Sequence, residues 1–160
     1  MTDSGLPAPR GEFLLYSTED GRTRLSVRFD GETGPYLQFA HARLCSIERK
    51  FRDAFPQAPT GDPALIARDD EKAVLIAIAR LSSALDRAVE SDEPSQLAQG
   101  LLALAAAVSA WLTAGSKDDT ARVLVEDPAL AASRLRLVRS ARAALGEGLR
   151  LLGLEAPERM

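Results

Sequence analysis

Residues 34–55, GPYLQFAHARLCSIERKFRDAF, decide how the rest of the chain is read. Pro35 suits the first turn of a helix, where its missing N–H has no intrahelical partner to lose, and Gly34 and Pro56 punctuate the two ends. At about 100° per residue, two stripes separate. Tyr36, Leu37, Ala40, Leu44, Ile47, Phe51, Ala54 and Phe55 fall on one broad apolar face, the pattern of a helix packed against a core. Phe39, Arg43, Ser46 and Lys50 fall on a second stripe beside it, at spacings of four, three and four. A ring followed along one face by two cations differs from an ordinary solvated side. A nucleobase can stack on the ring while the cations take phosphates.

Outward from this helix, the same reasoning gives three more. Asp69, Asp70 and Glu71 suit the positive end of a helix dipole, and Val74, Leu75, Ile78, Leu81, Leu85 and Val89 form an expected buried stripe behind them. Ser91-Asp92-Glu93-Pro94 ends that helix, and the next runs from Pro94 to about Ala114, with Gly115 as its expected stop and Ser116 to Asp119 as a polar loop. Asp127 is an N-cap with Pro128 at the first helical position, and the last helix runs to about Leu152 before Gly153. Leu137, Val138, Ala141, Leu145, Leu149 and Leu152 share its apolar face. Arg134 projects from that side and must find a carboxylate, a carbonyl or an outside anion. Arg136, Arg139, Arg142 and Arg150 lie opposite, as a solvated row first and a phosphate-contacting row second.

Before the first helix, residues 1–10 carry no periodicity and read as a flexible tail. Residues 13–29 read as a β-hairpin turning at Glu19-Asp20-Gly21, and a lone hairpin must pack on the bundle to be stable. Asp30 to Gly34, DGETG, reads as a turn into the helix, because it lacks the further glycines and lysine of a phosphate-binding loop. Pro56 to Pro63 is a loop, with a short turn beginning at Asp62 or Pro63. The expected fold is mostly α: a bundle of about four long helices, near 35–55, 69–89, 94–114 and 128–152, with an N-terminal β-hairpin.

Composition bounds the function. A chain of 160 residues with 46% hydrophobic and 27% charged residues fits one globular domain with a sizeable core. A net charge of −3 argues against wholesale nucleic-acid binding, so any such contact is a local basic patch on an acidic protein. Cys45 stands alone, which excludes an intrachain disulfide and fits a reducing compartment. The start MTDSGLPAPR lacks the apolar core of a signal peptide, and the expected location is the cytoplasm. Leu97 to Ala114 is about as apolar as a short membrane span, but Gln99, Gly100, Ser109 and its alanines favour a buried bundle helix. No membrane partner is expected. The single histidine, His41, has no cysteine partner for a metal and no triad pattern around it. It reads as structural or solvent-facing, and no catalytic residue, metal or cofactor is expected.

The wording of two segments is itself informative. GETGPYLQFAHARLCSIERK resembles the start of the anticodon-binding domain of arginyl-tRNA synthetases, the helical domain named after its DALR signature. VLVEDPALAASRLRLVRSARAALGEGLRLLGLEAPERM is similar to the C-terminus of the same enzymes, which finish in Leu-Gly and then Ala-Pro-Glu-Arg-Met. The resemblance extends over about residues 13–160. It implies a class I synthetase anticodon-binding bundle and tRNA as partner, arginine tRNA foremost. The catalytic half of such an enzyme grips ATP with a His-x-Gly-His signature and a Lys-Met-Ser-Lys-type loop. One histidine and the placement of Lys50, Lys72 and Lys117 leave neither in this sequence, so no aminoacylation by this chain alone is expected. Two origins stay open, a separate gene product and a domain cut from an arginine–tRNA ligase; the start methionine and the tail unlike the family weigh slightly toward the first.

The middle departs from the family. Gly100 stands where a tyrosine is expected, Val108, Trp111 and Leu112 replace an aromatic cluster, and Phe39 replaces a tyrosine. The expected RNA-binding residues are Phe39, Arg43, Ser46, Lys50, Trp111 and Arg134. Two readings stand side by side: a tRNA-binding module, and a protein-interaction or regulatory module whose former RNA face, including an exposed Trp111, now meets another protein.

Overall fold

A computed structural model describes residues 13–17, 23–27 and 34–160. The expected tail, the hairpin turn and the DGETG entry lie outside the described residues. Strands β1 (Phe13–Ser17) and β2 (Thr23–Val27) pair antiparallel, with Phe13 opposite Val27 and Leu15 opposite Leu25. Packing of this pair on the bundle lies outside what is described. The architecture that follows is helical: α1 (Gly34–Ala54), α2 (Asp69–Glu90), α3 (Pro94–Lys117) and α4 (Pro128–Leu151). Short 3-10 turns at Pro63–Leu65 and Asp119–Ala121 sit in the connections before α2 and α4.

The helix ends follow local chemistry. The side chain of Asp127 accepts from the Ala129 N–H at 2.9 Å, with Pro128 in the first turn. At the other end of α4, Gly153 adopts φ +72°, Leu154 N–H bonds the Leu149 carbonyl at 2.9 Å, and Gly153 N–H bonds the Arg150 carbonyl at 3.0 Å. That is a Schellman closure, which needs the left-handed residue glycine supplies at least cost. Gly115 does not stop α3 as expected. α3 continues through it to Lys117, and a Cβ there would come within 3.1 Å of the Arg122 Cα, so glycine allows the following loop to fold back onto α3.

α3 is the centre of the bundle and meets each of the other helices, while α1 also runs along α4. Leu44, Leu101, Leu104, Trp111, Leu145 and Leu149 are fully enclosed between them. α3 is long and apolar enough to cross a membrane, but half of its most apolar window is buried inside the bundle. Its apolarity is that of a helix with neighbours on several sides. A Cβ on Gly148 would fall 2.3 Å from Leu101, so α4 seats against α3 through that glycine. A smaller cluster of Phe51, Ala131, Ala132 and Leu135 closes the end where α1 finishes and α4 begins.

α2 departs from the expected phase. Val74 is buried, but Leu75, Leu85 and Val89 are exposed. The buried residues are Glu71, Val74 and Ala84, with the expected Ile78 and Leu81 half-buried between them. α2 packs chiefly on α3, where a Cβ on Gly100 would fall 3.0 Å from both Ala84 and Leu81. Small residues on both helices set the contact, which a stripe drawn through the large residues misses.

Candidate nucleic-acid interface

The α1 stripe survives folding as a surface. Phe39 is 55% exposed, Lys50 is exposed, and Arg43 and Ser46 are half-buried. Its cations differ from most of the arginines on the bundle. Arg139 and Arg142 of α4 both reach Glu48, at 2.8 and 3.1 Å; Arg136 donates to the Gly61 carbonyl at 2.7 Å; Arg150 pairs with Glu147. The α4 row is therefore engaged within the chain. Arg43 and Lys50 form no ion pair among the described residues. Cations without a carboxylate beside an exposed ring are what a phosphate backbone requires.

Arg43, Ser46, Ile47 and Lys50 form one wall of a groove of about 320 Å³. Leu112, Gly115 and Ser116 of α3 and Ala121, Arg122, Val123 and Leu124 of the following loop form the rest. The groove thus combines three cations with an apolar lining, a mixture suited to a nucleotide whose base and phosphate must both be satisfied. Arg122 belongs to this groove although no sequence pattern singles it out. It lies in a non-periodic loop, and only the fold-back permitted at Gly115 brings it opposite α1. A second groove of about 400 Å³, near the Phe51–Phe55 ring pair, holds Arg52, Arg136 and Arg139, of which the last two are already engaged as described.

Two expected contact residues are corrected. Trp111 has no exposed surface, so it can neither stack on a base nor anchor a protein partner in this fold. It lies on the side of α3 that faces the other helices, and the ring fills the core as the largest of its enclosed side chains. Arg134 is 2% exposed. Its Nε donates to Glu71, and one terminal nitrogen donates to the carbonyls of Thr120 and Arg122 at 2.8 and 2.7 Å. The cation has found a carboxylate and two carbonyls inside the protein, which satisfies the desolvation argument without an outside anion.

His41 is buried too, rather than on a solvent-facing flank. The C-terminal segment crosses α1 on a different side from Phe39. Gln38 Nε2 donates to the Glu155 carbonyl at 2.9 Å, His41 Nδ1 lies 2.9 Å from the Pro157 carbonyl oxygen, and Arg49 donates to the Glu158 carbonyl at 3.2 Å. Cys45 sits one turn below His41, and burial raises its thiol pKa, although the nearby Arg142 opposes that shift. A protonated, enclosed thiol is a poor nucleophile. Among the described residues, no cluster of three His, Cys, Asp or Glu side chains is placed to hold a metal.

The fold and the groove together define a four-helix bundle with a cationic stripe on α1 that has no ion pair among the described residues. Residues 37–160 match the model of the DALR anticodon binding domain, and the chain belongs to that family. It is 39% identical over 155 residues to an arginine–tRNA ligase of Thermus thermophilus, covering 92% of this chain and 25% of the relative. It is 37% identical over 139 residues to the "probable arginine–tRNA ligase, cytoplasmic" of Dictyostelium discoideum, covering 84% of this chain and 21% of that protein. The solved Thermus thermophilus arginyl-tRNA synthetase superposes with a TM-score of 0.71 at 37% identity, over 83% of this chain and 22% of that one. The chain thus spans about a fifth to a quarter of the length of these relatives. The matched part is a DALR domain like that of arginine–tRNA ligases, and these 160 residues hold no catalytic domain.

Proposed function

We propose that this chain binds tRNA, arginine tRNA foremost, through Phe39, Arg43, Ser46 and Lys50. The observation that carries the reading is the contrast in pairing. The arginines of α4 pair with groups within the protein, whereas Arg43 and Lys50 stand beside an exposed phenylalanine with no ion-pair partner among the described residues. Phe39 supplies a face for a base, and the two cations supply backbone contacts that fix its position. Family membership supports the same partner, and the name of the Dictyostelium discoideum relative supports a cytoplasmic location. Aminoacylation is not assigned to these residues, whose single histidine excludes the ATP-gripping signature.

Filter binding with transcribed arginine tRNA against an unrelated tRNA tests the reading. Specific binding weakened by Phe39→Ala, by about tenfold or more for a lost stacking contact, is expected. Equal affinity for both tRNAs would remove the specificity, and no binding of either would remove the function. The alternative protein-interaction face has lost its anchor, since Trp111 is enclosed.

A further inference from the structure

We infer that Arg122 is an additional RNA-binding residue of the groove, and that the buried Arg134–Glu71 pair is a positioning device that aims it. The inference rests on the reading of the groove as an RNA surface. Arg122 is held at several points. Its carbonyl accepts from Arg134 at 2.7 Å, its N–H donates to the Asp119 carbonyl at 3.3 Å, and its Nε donates to the Gly115 carbonyl at 3.2 Å. Backbone and guanidinium stem are thereby fixed, yet the side chain remains 54% exposed in the groove opposite Arg43 and Lys50. A cation anchored at its base and open at its tip is organised in advance for an anion.

The clamp reaches further than one residue. Arg134 also takes the Thr120 carbonyl, so it grips the loop at two alternate peptides. Glu71 closes the other side: one oxygen accepts from Arg134, and the other accepts from the N–H groups of Ala67 and Arg68, both at 3.1 Å. The start of α2, the loop and α4 are thus joined through a pair whose side chains are 3% and 0% exposed. A buried pair of this kind is weak evidence for stabilisation as such. A role in fixing the loop that lines the groove accounts for where its hydrogen bonds go. The acid now on Arg122 is Asp119, at 2.9 Å and 82% exposed. Such an exposed pair is weak and readily exchanged for a phosphate.

The test is arginine tRNA binding over a salt series with the full chain. Arg122→Ala is expected to weaken binding about three- to tenfold and to lower the salt slope by about 1. Arg134→Lys and Glu71→Gln, folded by circular dichroism, are expected to weaken it comparably and to add nothing further when combined with Arg122→Ala. Asp119→Asn, on the surface and remote from the core, is expected to tighten binding by removing the competing carboxylate. The inference is overturned if Arg122→Ala leaves affinity and slope unchanged, if the core variants act as strongly without Arg122 as with it, or if Asp119→Asn has no effect or weakens binding. Should neither core variant fold, the Arg122 and Asp119 variants decide the assignment. Wild-type protein that binds no tRNA sinks the function itself; wild-type binding indifferent to Arg122 sinks only this inference.

Discussion

His41 and Pro157, 116 residues apart, meet at 2.9 Å through Nδ1 and a carbonyl oxygen. A carbonyl only accepts, so Nδ1 must carry the proton and the tautomer is fixed by the contact. The same segment is held at Glu155 by Gln38 and at Glu158 by Arg49, so the end of the chain is strapped along α1. His41→Ala is expected to destabilise the fold by about 1–3 kcal/mol, because a part-buried carbonyl loses its donor. Urea denaturation reads the stability. Faster trimming by carboxypeptidase reads release of the strap, and an unchanged trimming rate would show that His41 does not hold it.

The buried and exposed arginines separate sharply in cost. Arg134→Ala leaves Glu71 as an uncompensated buried charge and is expected to cost about 3–5 kcal/mol. Arg139→Ala breaks a pair whose arginine is more than half exposed and leaves Arg142 still on Glu48, so it is expected to cost less than about 1 kcal/mol. Comparing their urea midpoints checks the contrast, and equal costs would mean that Arg134 is not enclosed as described.

How much of this is legible in the sequence varies with the residue. The bundle and its helix ends are readable because Asp127-Pro128 and Gly153 act locally, within a turn of themselves. The α1 stripe is readable because 3.6 periodicity alone places Phe39, Arg43, Ser46 and Lys50 together. Trp111 is not. Its helix is apolar nearly all round, so periodicity gives no direction, and only the positions of α2 and α4 show it to be inside. Arg134 is half legible: its need for a partner follows from its place on the apolar face, but Glu71 is 63 residues away. Arg122 is invisible, because its position depends on a loop folding back over Gly115.

Trp111 offers a direct check on the core. As the single tryptophan, fully enclosed, it is expected to give blue-shifted emission that resists acrylamide quenching in the native protein. Adding tRNA is expected to leave that emission unchanged after inner-filter correction. Strong quenching by either agent would place the ring at the surface and restore it as a contact residue.

Acid is expected to loosen the loop that carries Arg122. Asp118 is held below the usual carboxylate range, first by the Thr120 hydroxyl and then by the Thr120 N–H, with Arg68 adding to both. A lowered folded value means that its contribution is fully present above the ordinary carboxylate value, about 3.9, and is lost as the pH falls through the folded value. The stability difference between wild type and Asp118→Asn is therefore expected to be constant near neutrality and to shrink below that range. Denaturation across an acid series measures it, and a difference independent of pH would remove Asp118 as the cause.

If one face of α1 meets an RNA backbone, the salt dependence of arginine tRNA affinity tests it most directly. Affinity is expected to fall steeply with salt, with the slope reduced by about 1 in Arg43→Ala and again in Lys50→Ala, while Arg80→Ala on the exposed side of α2 leaves it unchanged. A slope indifferent to Arg43 and Lys50, or moved equally by Arg80, would contradict an RNA-binding α1 face.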